Sequence, residues 1–189
     1  MRVALQTQRK NLMTKDKTPS FQDSLWDLIK DIRFAMFVHR HLGGMLHAHP
    51  LTMQNKSLKA GEPLYFFVSK KSELGQRLMV DGNVCVAFSD LKDDRYVSIS
   101  GHAVVNEDLG KKKDLFNAMA KAWFPGGAED PELELVEVQI SHAEYWDVKE
   151  SKMTQLLKMA TAAATGHPPE QMGEHREMTL GTDQAVDQH

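Results

Sequence analysis

The sequence predicts an α+β fold, a small antiparallel β-barrel of about six strands with flanking helices. Three observations carry this reading. Six or seven short apolar segments recur at hairpin-like spacing, and helical segments fall between some of them without the strict βαβ rhythm of a parallel sheet. No repeat, linker or low-complexity stretch divides residues 19–164. Closing such a sheet removes the exposed edges that an open antiparallel sheet must protect.

The elements follow in order. Ser20 can cap a first helix with Asp23 at the capping-box position, and Phe21, Leu25, Leu28, Ile29 and Ile32 recur at spacings of three and four. Phe34–Val38 is a short apolar strand, and a Gly43-Gly44 turn leads into Met45–Gln54 as its hairpin partner. A polar loop through Gly61 and Pro63 precedes Leu64–Val68, a continuous apolar strand expected to be covered on both faces. Residues 69–72 open a short helix carrying Leu74 and Leu78, and Val84–Phe88 is a further buried strand. In Arg95–Val105, Val97, Ile99, Ala103 and Val105 share one face, and Tyr96, Ser98, Ser100 and His102 the other. Asp108 can cap one helix running through Leu115, Phe116, Met119, Ala120 and Trp123 to Pro125-Gly126-Gly127. In Leu133–Ile140 the apolar parity switches between Leu135 and Val136, which predicts a bulge there, and Ala143–Trp146 reads as one more strand. Met153, Leu156, Leu157 and Ala160 give a last amphipathic helix stopped near Gly166.

The foldable domain is therefore 19–164. Residues 1–18 read as a disordered N-terminal tail and 165–189 as a flexible C-terminal tail, since both are too poor in large apolar groups to offset ordering entropy. Of 189 residues 41% are hydrophobic and 26% charged, and no apolar run approaches the ~20 residues needed to cross a bilayer, so no membrane partner is expected. The first residues carry Arg2, Arg9 and Lys10 without an apolar stretch, so no secretory signal is expected. Cys85, the single cysteine, can form neither an internal disulfide nor a cysteine-based zinc site, and it reads as buried and inert; the expected location is the reduced cytoplasm. A net charge of −3 argues against a nucleic-acid partner and leaves a small molecule or a second copy of the chain.

Three stretches can carry chemistry. Phe66-Phe67-Val68-Ser69-Lys70-Lys71-Ser72-Glu73 runs from a buried strand into hydroxyls, ammonium groups and a helix start, which suits a phosphate and equally describes an ordinary N-cap with solvated lysines. There is no Gly-rich loop, so nucleoside triphosphate chemistry has no support. His39, His41, His47 and His49 flank the first hairpin turn. A two- or four-residue loop would put the two pairs on opposite faces; a three-residue loop or a bulge would gather all four. With no carboxylate pattern beside them, they read as solvated or packed, and no metal is assigned. Trp123 and Phe124, before Pro125-Gly126-Gly127, are either a stacking wall for a flat ligand or core residues ending a helix. No side-chain spacing suggests a Ser-His-Asp or Cys-His arrangement, and no catalytic residue is named.

In order, His47-Ala48-His49-Pro50-Leu51-Thr52-Met53-Gln54, Leu64-Tyr65-Phe66-Phe67-Val68-Ser69-Lys70, Asp94-Arg95-Tyr96-Val97-Ser98-Ile99-Ser100-Gly101 and Ala122-Trp123-Phe124-Pro125-Gly126-Gly127 resemble the general stress protein 26 family, within the pyridoxamine 5′-phosphate oxidase-like FMN-binding split barrels. The resemblance spans roughly residues 20–160. It implies a split barrel that dimerises and holds FMN in a cleft between subunits, with the phosphate beside the strand-to-helix junction. The implied cofactor-binding residues are His49, Pro50, Leu51, Thr52, Gln54, Phe67, Val68, Ser69, Lys70, Ser72 and Trp123. Backbone groups of Pro50–Thr52 and the Gln54 amide would serve the pyrimidine edge. Two positions depart from the family pattern: His49 stands where Arg is usual, and Leu74 where Lys is usual. Lys70, Lys71 and Arg77 are the candidates to replace those cations. The implied function is a flavin-binding stress-response protein, either a weak FMN-dependent oxidoreductase acting on a small-molecule redox substrate or a non-catalytic flavin carrier or sensor. Pyridoxamine 5′-phosphate oxidation is not expected, because no basic pocket for a substrate phosphate is evident.

Overall fold

Apolar residues at helical spacing open the chain with α1 (Phe21–Ile29), which buries Leu25, Leu28 and Ile29. The computed structural model describes residues 21–147, 152–167 and 174–179, so the expectation for residues 1–18 lies outside them. Seven strands follow: β1 (Ala35–Arg40), β2 (Leu46–Leu51), β3 (Leu64–Ser69), β4 (Asn83–Asp90), β5 (Arg95–Asn106), β6 (Leu133–Asp147) and β7 (Glu174–Thr179). All pairings are antiparallel, in the order β2-β1-β4-β5-β6-β3, and the six-stranded path curls into a half-barrel. Short helices α2 (Glu73–Leu78), α3 (Leu109–Leu115) and α4 (Ala118–Trp123) and the longer α5 (Lys152–Thr165) complete the α+β architecture.

The core fills the inside of this curl. Phe37, Phe66, Phe88, Ile99 and Val138 are buried there against α1, and the Phe37 and Phe66 rings meet edge to face at 5.3 Å. A second, smaller cluster of Tyr65, Leu115 and Leu135 lies on the other face of β3 and β6, with Phe67 packed against it. Two cores explain why β3 is covered on both sides, as its unbroken apolar run predicts. They also correct the expected bulge at 135/136. Pairing there is continuous on both neighbours, Phe67↔Leu135 and Phe66↔Val136 on β3, Asn106↔Leu135 and Val105↔Val136 on β5. Leu135 and Val136 are both apolar because each faces a different core.

The register break lies further on. Ser100 pairs with His142 and Gly101 with Ile140, which leaves Ser141 of β6 without an opposite residue. Val136 and Val138 face the main core before it, Ala143 and Tyr145 after it. The two strands expected over 133–146 are thus one, bent at Ser141. Gly101 sits at the break because a Cβ there would run into the Gln139 carbonyl and come within 2.8 Å of Val138 Cγ1.

Three further differences are local. The single helix expected over 108–124 is broken into α3 and α4. Asp108 caps α3 as predicted, accepting from the Lys111 N–H at 3.0 Å, but Phe116 is extended and Asn117 starts a new helix, its side chain accepting from the N–H groups of Met119 and Ala120. Within the segment read as a C-terminal tail, β7 pairs with β6 from His142↔Thr179 to Asp147↔Glu174. The segment Glu174–Thr179 carries one large apolar residue, Met178, so hydropathy gave no sign of the strand; across the pairing His142 Nδ1 lies 3.0 Å from Thr179 Oγ1. Cys85 is half-buried on the outward face of β4, 3.6 Å from Ser98 Oγ, rather than buried.

Candidate functional site

Where β2, β3, the start of α2 and the end of α4 converge they leave a cleft of about 390 Å³. His49, Pro50, Leu51 and Thr52 reach it from β2 and the residue beyond, Gln54 from the following segment, Phe67, Val68 and Ser69 from β3, and Ser72 from the helix cap. Trp123 and Phe124 close it from α4. Ten of the eleven residues singled out in the sequence therefore line one cleft; Lys70 does not. Phe124 is core, whereas Trp123 is 80% exposed at the mouth, a position that suits a stacking wall and not a core residue.

The sequence reading missed Arg33, Phe34, Met119 and Ala120. Arg33 is the notable omission, because its guanidinium lies 4.9 Å from the Phe34 ring and it is the one cation lining the cleft among the described residues. Its place at the junction of α1 and β1 gave no motif by which to find it. Leu74 lines the cleft as a buried core residue.

Several polar groups are already engaged. The Ser72 hydroxyl donates to the Ser69 carbonyl at 2.6 Å and accepts from the Gly75 N–H at 3.0 Å, so its proton serves the N-cap of α2. The Gln54 amide donates to the Thr52 carbonyl at 2.8 Å and accepts from Asn117 Nδ2 at 2.7 Å, tying the strand connection to α4. Lys71 pairs with Glu132 at 2.7 Å, and Arg77 donates to the Arg40 carbonyl at 3.2 Å, so neither stands as a ready replacement cation.

Beside the cleft the four histidines converge. The register pairs His39 with His47 and Phe37 with His49, and the His41 N–H bonds the Met45 carbonyl at 2.8 Å, leaving a three-residue tip at 42–44. This is the odd loop that brings all four imidazoles to one face. His39 is fully buried, its Nε2 3.0 Å from Nε2 of His49; burial and the neighbouring His49 hold its pKa below the ordinary histidine value against an opposing pull from Glu73. The carboxylate that the sequence does not place beside them comes from α2: Glu73 Oε1 is 3.3 Å from His41 Nε2, 3.3 Å from His47 Nδ1 and 3.8 Å from His39 Nε2. Only the folded register brings position 73 to positions 41 and 47.

The family described as pyridoxamine 5′-phosphate oxidase like matches residues 21–170. The chain belongs to that family. Among solved structures, a protein named as general stress protein 26 from Jannaschia sp. CCS1 superimposes with a TM-score of 0.63 over 82% of this chain and 95% of its own, at 22% identity. The general stress FMN/FAD binding protein of Xanthomonas citri is 34% identical, with a TM-score of 0.59, over 69% of this chain and 90% of its own. A general stress family protein of Xanthomonas campestris pv. campestris is 32% identical over the same shares, with a TM-score of 0.57. No curated protein matches. The resemblance seen in the four sequence blocks and the split-barrel architecture are thereby established.

Proposed function

We propose that this chain is a flavin-binding stress-response protein whose cleft holds FMN. The observation that carries the reading is the lining. Pro50, Leu51, Phe67 and Trp123 offer a planar ring apolar faces, while Thr52, Ser69 and Arg33 gather polar groups in the same cleft. The Xanthomonas citri relative, 34% identical, is named as an FMN/FAD binding protein, which supports a flavin. Bound FMN would supply the redox chemistry at its ring; the residues of the chain orient it, exclude water and hold its tail near Ser69. Because the usual cations are replaced by His49 and a buried Leu74, the phosphate contributes less than in a site built around Arg and Lys, and the affinity is modest.

A homodimer is part of the proposal. Met36, Leu46, Tyr96 and Trp146 are exposed on the outward sides of β1, β2, β5 and β6, an apolar surface that a second copy would cover. No described helix is long and apolar enough to cross a membrane, and the net charge of −3 does not favour nucleic acid. The single cysteine fits a cytoplasmic location.

The weak oxidoreductase and the non-catalytic carrier or sensor share this site. One observation favours the carrier: among the described residues lining the cleft there is no carboxylate or lysine, and the one imidazole, His49, is engaged by His39. The test begins with purified protein incubated with FMN, freed of excess and read by absorption and flavin fluorescence. Retained, quenched flavin is expected; the absence of both retention and heat in a calorimetric titration would overturn the proposal. Anaerobic NAD(P)H then separates the two readings, since only the enzyme bleaches the bound flavin.

A further inference from the structure

We propose that His41, His47 and Glu73 form a binding site for a divalent transition-metal ion of the zinc class, adjoining the flavin cleft through His39 and His49. The proposal is independent of the flavin reading. Four of the nine histidines of the chain lie on one face of a single hairpin, and a carboxylate from another element meets them. Their candidate ligand atoms fall into two overlapping sets, His41–His47–Glu73 and His39–His47–His49, each within 4.8 Å.

Hydrogen bonding fixes the chemistry of the first set. His41 Nδ1 points at the Leu42 carbonyl, which can only accept, so Nδ1 carries the proton and Nε2 presents a lone pair. That lone pair faces Glu73 Oε1 at 3.3 Å. Two acceptors set against each other repel unless a cation lies between them, and a proton on His41 or a metal are the two candidates. A backbone carbonyl orienting the far ring nitrogen is also the usual support of a metal-bound histidine.

The distances fit a metal. Ligands bound to zinc at ~2.0–2.1 Å in a tetrahedron lie ~3.3–3.4 Å apart. Glu73 Oε1 is 3.3 Å from both His41 Nε2 and His47 Nδ1, and the three groups come from two separate elements to one point. Two imidazoles and one carboxylate make a borderline-soft set with an open fourth position, suited to Zn²⁺, Co²⁺ or Ni²⁺ and poorly suited to Mg²⁺ or Ca²⁺. The buried His39, 3.8 Å from the same oxygen, is the nearest further donor; His49 beyond it belongs to the cleft wall.

The experiment uses the untagged full-length protein, stripped by chelator and free of flavin, titrated with Co²⁺ alone. One equivalent per chain is expected, with the intense visible bands of four-coordinate Co²⁺, displaced by Zn²⁺. His47→Ala and Glu73→Gln should each weaken binding about tenfold or more. His142→Ala, on β6 away from the hairpin, should bind as the parent does. His41→Ala, half-buried beside the hairpin tip, serves if His47→Ala loses its far-ultraviolet dichroism. Absence of the bands, or bands of equal strength in His41→Ala and Glu73→Gln, overturns the site. FMN retention measured in excess chelator reports the flavin reading alone, so either can fail without the other.

Discussion

Asn117 divides what the sequence presents as one helix, and removing its side chain should loosen a wall of the cleft. Its Oδ1 accepts from the N–H groups of Met119 and Ala120 at 3.0 Å each, and its Nδ2 donates to Gln54 Oε1 at 2.7 Å. Asn117→Ala forfeits an N-cap, about 1 kcal/mol. It also loses an exposed cross-link, about 0.5 kcal/mol after solvent competition. The sum, about 1.5 kcal/mol, lowers Tm by roughly 3–6 °C in a domain of this size. Asn117→Asp keeps an acceptor at the cap and loses the Nδ2 donor, bonded to Gln54 and more distantly, at 3.4 Å, to the Leu115 carbonyl, so about 0.5 kcal/mol and roughly 1–2 °C are expected. Thermal and urea unfolding of both variants, with Gln54→Ala and the double mutant, close a cycle whose coupling should be about 0.5 kcal/mol. Since α4 carries Met119, Ala120 and Trp123, FMN retention should fall in parallel with the alanine variant. Equal losses for Asp and Ala, or zero coupling to Gln54, would refute this account of the helix break.

Arg33→Ala should weaken FMN about five- to tenfold and riboflavin hardly at all, the difference being one exposed charge–phosphate contact; equal losses by fluorescence titration would place the phosphate elsewhere. The depressed pKa of His39, which faces His47, His49 and Glu73, sets the sign of one pH effect. Its unfolded form takes up the proton first, so stability is constant above about 6.5 and is lost as pH falls below it, and His39→Phe should flatten that slope in chelator-treated samples. Gly101→Ala drives a methyl into the Gln139 carbonyl and Val138, and should cost ~1–3 kcal/mol in urea unfolding, whereas Gly44→Ala meets no atom within 4 Å and reports only its positive φ.

Much of the architecture was legible because burial writes itself into hydropathy. The strict alternation of Val97, Ile99 and Ala103 identified β5, and the unbroken Leu64–Val68 run announced a strand covered on two sides. Parity misled at Leu135-Val136 because two cores produce the same pattern as a bulge, while the actual bulge at Ser141, between Ile140 and His142, reads in sequence as the gap between two separate strands. β7 was invisible because its segment carries a single large apolar residue, Met178, and so shows no strand pattern. In the site, contiguous blocks such as Pro50–Thr52 and Phe67–Ser69 were found together because neighbours in sequence stay neighbours in a strand. Arg33 and Glu73 were missed as contributors because each reaches its place only through the fold, one from the end of α1 and one from the first turn of α2.

The unpaired Ser141 has a consequence for how this chain can change. Before it, even-numbered side chains of β6 point inward; after it, odd-numbered ones do. Excising that one serine would let His142 follow Ile140 directly, giving a regular ribbon that has lost its bend but still holds Ala143 and Tyr145 inside. A single-codon deletion at this position should therefore cost the bend and its local contacts rather than turn the core out, unlike a one-residue deletion inside the regular pairing of β6.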